Sequence, residues 1–259
     1  MNRSLEVILA PRELGMLRAS DLGDAVCVVF DILRATTSMV TALAHGAEAI
    51  VPAGEIPEAL EARARRGDVL LAGERDGVRI RGEIAGGVDF DLGNSPREFT
   101  PERVRGRTIA MTTTNGTRAL RACAGAREVL VAGFVNLGPT IERLRAVDAS
   151  RRVLVCSGTH DEPALEDVLA AGAMCDALWG SLSGLRVSDG ARIARTVYRA
   201  CAGDLVRAAS ESRNGARLLA IPELRDDVPL CFERDRHPLV AGMNAHGEVR
   251  RLASQGATQ

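Results

Sequence analysis

Asp31 and Arg34 follow directly on the apolar run Ala25–Phe30 and directly precede Thr36, Thr37 and Ser38. A carboxylate where a buried strand meets a helix start can ligate Mg²⁺ or attack as a nucleophile. An arginine beside it can clamp an anion through two parallel N–H bonds, and the hydroxyls can cap the helix or touch that anion. Gly73-Glu74-Arg75 repeats the pairing of carboxylate and arginine. Thr112-Thr113-Thr114-Asn115-Gly116-Thr117 sets hydroxyls around an Asn-Gly pair, a composition suited to a phosphate nest. Gly93-Asn94-Ser95-Pro96 reads as a turn. The last cluster is Cys156-Ser157-Gly158, with Glu166-Asp167 on the helical stretch behind it. Neighbouring side chains on a helix point about 100° apart, so at most one of that acidic pair is expected to face a common site. The histidines His45, His160, His237 and His246 share no metal-ligand spacing, and only His160 lies near one of these loops.

Such residues act only when rigid elements hold them. Ala25–Phe30 is too uniformly apolar for a half-exposed strand and predicts one buried on both faces. Met39, Val40, Leu43 and Ala44 then follow at helical spacing, with Gly46 where a helix end favours glycine. The same alternation predicts strands at Ala49–Val51, Val69–Ala72, Thr108–Met111, Val129–Ala132 and Val153–Cys156. Helices are expected over Pro57–Arg66 and near Arg118–Ala124. Strands alternating with helices indicate an α/β protein with a mainly parallel sheet in a three-layer α/β/α arrangement. In such sheets ligands collect beyond the carboxyl ends of the strands, where these polar loops fall. Leu43-Ala44-His45-Gly46-Ala47 and Leu169-Ala170-Ala171-Gly172-Ala173 echo one another. The echo leaves open two similar α/β halves with a boundary near 140–150. Ser181–Asp189 reads as the loosest stretch and Ala253–Gln259 as a flexible tail.

Composition narrows the chemistry. All 33 basic residues are arginine, which excludes a Schiff-base or P-loop lysine. A net charge of −1 gives no general attraction to nucleic acid or an anionic membrane, and neither is expected as a partner. The first ten residues lack the apolar region and cleavage site of a signal peptide, and no run approaches the about 20 apolar residues of a membrane span. Six scattered cysteines without a C-x-x-C pair suit reduced thiols and a cytoplasmic protein. Aromatic residues make up 3% of the chain and offer few interface anchors, so a homo-oligomer stays open.

The stretch VVFDILRATTS has Leu33 where Asp-x-Asp phosphatases of the haloacid dehalogenase type carry a second aspartate, and the lysine of that mechanism is missing too. The ordered set FDILRATTSMVTALAHGA, LLAGERDG, FDLGNSP, TTTNGTRAL and LEDVLAAGAMCDAL instead resembles the ComB family of 2-phosphosulfolactate phosphatases. Ser212-Arg213-Asn214-Gly215-Ala216 and Asp226-Asp227-Val228 extend the resemblance to the end of that family. The resemblance implies an α/β/α fold and Mg²⁺-dependent hydrolysis of 2-phospho-3-sulfolactate to 3-sulfolactate and phosphate, a step towards coenzyme M. Asp31, Arg34, Glu74, Arg75, Asn94, Ser95, Asn115, Thr117, Glu166 and Asp167 match family motif positions. On this reading Asp31, Arg34, Glu74 and Arg75 are catalytic. Asp31 and Glu74 ligate Mg²⁺, with Glu166 or Asp167 as a third ligand. Thr36, Asn94, Ser95, Thr114, Asn115, Gly116, Thr117, Ser157 and Gly158 contact the small anionic phosphorylated substrate, and Arg34, Arg75, Arg97 and Arg118 supply cations. A glycine-containing insert over 78–87 and the loop 157–161 are the two departures expected to alter the pocket. Direct attack by water and an acyl-phosphate on Asp31 both stay open. So do a different phosphate ester as substrate and a non-catalytic binding module for an anionic metabolite.

Overall fold

The computed structural model describes residues 3–17, 22–181 and 184–253. Residues 182–183 of the stretch read as loose, and 254–259 of the expected tail, lie outside them.

The strands are β1 (Ser4–Ile8), β2 (Ala25–Phe30), β3 (Ala49–Ala53), β4 (Leu70–Arg75), β5 (Val78–Arg79), β6 (Thr108–Thr112), β7 (Glu128–Ala132), β8 (Arg151–Cys156), β9 (Arg186–Val187), β10 (Ala241–Met243) and β11 (Val249–Arg251). They form one sheet in the order β5-β4-β6-β3-β11-β10-β7-β2-β8-β1-β9. β4-β6-β3 and β7-β2-β8-β1-β9 are two parallel blocks. The antiparallel hairpin β10–β11 joins them by pairing with β7 on one side and with Ile50 of β3 on the other. Strands from before and after residues 140–150 interleave, since β8 lies between β1 and β2.

The α-helices are α1 (Ala35–Ala44), α2 (Ile56–Arg66), α3 (Pro101–Val104), α4 (Gly116–Ala122), α5 (Leu137–Ala146), α6 (Leu165–Leu178), α7 (Asp189–Cys201), α8 (Leu205–Ser210), α9 (Arg213–Leu219) and α10 (Asp227–Cys231). They cover both faces of the sheet, and β2 shows why its sequence is continuously apolar. Val26, Val28 and Phe30 pack into the cluster holding Leu169 and Met174 of α6, whereas Ala25, Cys27 and Val29 pack against Met39, Val40 and Leu43 of α1. All six residues of β2 are fully buried, as expected of a central strand between helical layers. A smaller cluster of Ala53, Ala59, Leu71, Ile80 and Phe90 lies near the β4 edge. No helix among the described residues is long and apolar enough to cross a membrane.

The structure departs from the sequence expectations in three places. β4 runs past Ala72, where the expected strand stops, so Gly73, Glu74 and Arg75 end the strand. Asp76 and Gly77 then make a two-residue hairpin loop with φ of 54° and 79°, pairing Glu74 with Arg79. Asp-Gly satisfies a turn that needs positive φ at both positions. The insert over 78–87 therefore begins as β5 and buries Ile80 and Ala85 in the small cluster. Lastly, Leu43–Ala47 ends α1 but Leu169–Ala173 lies in the middle of α6, so the two echoing strings do not hold matching places.

Candidate active site

The carboxyl ends of β2, β4, β6 and β8 open into one cleft, closed on its far side by α9. Asp31, Glu74, Glu166 and Asp167 line it at 9, 8, 1 and 2% exposure. Both members of the α6 pair reach the cleft, contrary to the expectation that only one would. Their separate tethers explain this. Asp167 accepts the Ile32 N–H at 2.8 Å and the Gly158 N–H at 3.0 Å, stitching the loops after β2 and β8 together. Glu166 Oε1 accepts from Asn214 Nδ2 at 2.5 Å.

Each remaining carboxylate is fixed by its own element. Asp31 Oδ1 accepts the Ala35 N–H at 3.0 Å, at the start of α1. Glu74 Oε2 accepts the Gly77 N–H at 2.7 Å, and Oε1 accepts both the N–H and the hydroxyl of Thr114. Burial raises the Asp31 carboxyl to about 7, aided by the charges of Glu74 and Glu166 and opposed by the Ala35 N–H and Arg34. Asp167 is pushed well above the ordinary carboxylate range, by burial first and then by the charges of Asp31 and Glu166. The cleft floor thus carries more acid than its surroundings neutralise.

Asn94, Thr114, Asn115 and Gly158 line the cleft, as do Thr113 and Thr159 of the loops singled out in the sequence, whereas Asn214 and Arg217 were not among the expected site residues. Thr36, Ser95, Gly116, Thr117, Ser157 and Arg75 do not line it. The Thr36 hydroxyl is spent on the Asp31 backbone at the start of α1, and Thr117 Oγ1 donates to the Thr113 carbonyl. Ser95 Oγ donates to Asp227, and Ser157 keeps its backbone N–H on Phe30 and its hydroxyl buried. A side chain on Gly116 would put Cβ 2.8 Å from Asp31 Oδ2, so glycine here lets α4 approach that carboxylate.

The arginines expected to clamp phosphate are committed to the protein. Arg34 Nη1 donates to Asp227 Oδ2 at 2.6 Å and Nη2 to the Gly77 carbonyl at 2.7 Å, with both partners of the ion pair buried. Arg75 donates to the Glu74 carbonyl and Thr112, Arg97 to Asp227 and the Glu223 carbonyl, and Arg118 to Asp161. Arg34 lines the cleft as a fixed positive charge, with each terminal nitrogen giving one hydrogen bond to the protein. Asp227, seen in the sequence only as part of a terminal motif, is the buried hub that receives Arg34, Arg97 and Ser95.

Among the described residues no three His, Cys, Asp or Glu side chains are arranged as a ready-made metal cage. Glu74 and Asp167 have both oxygens turned to backbone N–H groups or a hydroxyl. Among the cleft-lining residues three buried oxygens nonetheless have no hydrogen-bond partner: Glu166 Oε2, Asn94 Oδ1 and the Thr113 hydroxyl. Buried oxygens without donors beside a crowded set of acids are the donor type a hard divalent cation takes. Mg²⁺ asks for only one or two carboxylates, filling its remaining positions with water and substrate phosphate. The residues present fit such an ion.

The profile of the 2-phosphosulpholactate phosphatase family matches residues 14–245. The chain belongs to that family. A probable 2-phosphosulfolactate phosphatase of Deinococcus radiodurans is 43% identical over 216 residues, covering 83% of this chain and 86% of its own. Proteins of the same description from a Synechococcus species and from Symbiobacterium thermophilum are 42% and 39% identical, each over 83% of this chain and over 87% and 89% of their own. The family is one of phosphoric monoester hydrolases.

Proposed function

We propose that this chain is a Mg²⁺-dependent phosphatase that hydrolyses 2-phospho-3-sulfolactate to 3-sulfolactate and phosphate, a step of the coenzyme M type. The observation that carries this reading is the acidic floor, where burial, aided by the charges of Glu74 and Glu166, raises Asp31 to about 7 while Glu166 Oε2 lacks any donor. An anionic ester cannot enter such a floor until a cation offsets it. Among the buried carboxylates of the floor, Asp31 and Glu166 have an oxygen to spare and would hold Mg²⁺, with Asn94 Oδ1 as a neutral neighbour. The ion supplies charge neutralisation at the phosphoryl oxygens.

The chain's other residues then have positioning roles. Asp167 holds the Ile32 and Gly158 backbone in register across the floor. Glu74 fixes the Asp76–Gly77 hairpin and the Thr114 loop, and Gly116 leaves room beside Asp31. Arg34, locked by Asp227, adds a positive field without a flexible side chain.

The test is phosphate release from a panel of phosphorylated hydroxy acids in Mg²⁺ buffer. The highest kcat/KM is expected for 2-phospho-3-sulfolactate. No release, or a clear preference for another ester, would sink the assignment.

A further inference from the structure

Arg217 is the cleft-lining cation whose charge the protein itself does not use. Five carboxylates and two arginines line the cleft, and the charge of one arginine, Arg34, is answered by Asp227. Arg217 makes no hydrogen bond or ion pair to any described residue. It projects from α9, exposed at the rim with Asp76 of the hairpin, to which it makes no ion pair, whereas the other four carboxylates sit at the floor.

Its position is nevertheless set. The guanidinium lies over the β4–β5 hairpin, where a Cβ on Gly77 would stand 2.7 Å from Arg217 Nη2. That same glycine gives its N–H to Glu74 and its carbonyl to Arg34, so one turn ties rim to floor. Asn214, one helical turn earlier on α9, bonds Thr159 and Glu166 and anchors the helix against the cleft.

We infer that Arg217 binds the acid group at the end of the substrate remote from phosphorus, selecting phosphorylated hydroxy acids with a further sulfonate or carboxylate. This rests on the phosphatase reading above. The reacting phosphate belongs at the floor, where the cation would be held, and the far end of a short substrate then reaches the rim. A guanidinium with free donors matches a sulfonate or carboxylate in charge and geometry.

The experiment compares the full-length chain with Arg217→Gln and Arg217→Lys. On 2-phospho-3-sulfolactate, Arg217→Gln should raise KM about 10–100-fold with kcat changed less than about threefold, the range for losing one charge-assisted hydrogen bond. Arg217→Lys should recover part of that loss. Titration of the wild type should show binding of 3-sulfolactate and of inorganic phosphate, and Arg217→Gln should weaken the first and spare the second. An unchanged KM, an equal loss of affinity for phosphate, or no binding of 3-sulfolactate by the wild type would overturn the assignment. If the wild type binds both anions but releases no phosphate from the ester, the phosphatase reading fails, and the two titrations still decide the role of Arg217.

Discussion

The floor of the cleft and its C-terminal wall solve opposite problems. The floor is made of strand ends and the first turn of α6, and it concentrates buried acid on rigid backbone. The wall is made of α9 and α10, helices of seven and five residues, and it supplies what the floor lacks. Asp227 answers Arg34, Asn214 fixes Glu166, and Arg217 brings an uncommitted cation to the rim. Local strand and loop geometry can gather reactive charge, but balancing and aiming it here takes residues from the far end of the chain.

The largest effect should come from the floor. Asp31→Asn is expected to cut phosphate release by about 10²–10³-fold or more, the scale seen when one preorganised polar group is removed from an active site. Near-wild-type kcat would remove Asp31 from the chemistry. The wall should show next, as stability. Asp227→Asn leaves Arg34 buried without its counter-charge and is expected to cost about 3–5 kcal/mol in urea unfolding, a loss that an exposed pair would not produce. A change below about 1 kcal/mol would mean that Arg34 finds another partner.

Gly116→Ala probes the close approach between α4 and Asp31. The added methyl meets Asp31 Oδ2 at 2.8 Å and the Ala35 side chain at 2.8 Å, so one of them must move. A kcat/KM lowered about 10–100-fold, with a smaller fall in Tm, is expected from such a displacement. The acidity of the floor can also be read without substrate. Asp31 titrates near 7 when folded against 3.8 for the ordinary carboxyl, so the folded state holds this proton more tightly than the unfolded chain. Its contribution to stability is complete below about pH 4 and is lost as pH rises through about 7. Asp167 acts in the same direction. In EDTA, Tm should therefore fall across pH 4–7 through these groups, and Mg²⁺ should raise Tm most at the upper end. A Mg²⁺ effect independent of pH would contradict the coupling. The smallest effect belongs to Arg118→Ala, which removes an exposed pair with Asp161 and should leave stability within about 0.5 kcal/mol and activity unchanged.

The same contrast decides what could be read from the sequence. The β2 strand, the loop at Asp31, and the Glu74, Thr114 and Glu166 clusters announce themselves locally, as apolar runs followed by polar punctuation. Asp76-Gly77 suits a hairpin turn, but with no second strand recognised after it the sequence reading passed it over. The partners of Arg34 and Ser95 could not be read, because that of Arg34 lies 193 positions away and that of Ser95 132 away. No spacing rule connects such residues. Thr36 and Thr117 have the composition of anion contacts, yet their hydroxyls are taken by the backbone at the starts of α1 and α4. Arg217 sits among many surface arginines in a chain without lysine, and only its place over Gly77 separates it from them.

The central claim is that the acidic floor works through a bound divalent cation. It is tested most directly by stripping the protein with EDTA, confirming by circular dichroism that the fold persists, and following phosphate release from 2-phospho-3-sulfolactate as Mg²⁺ is added back. The account predicts negligible release without the ion and a saturable return of activity with it, absent in Glu166→Gln. Full activity in EDTA, or an unaltered Mg²⁺ response in Glu166→Gln, would contradict it.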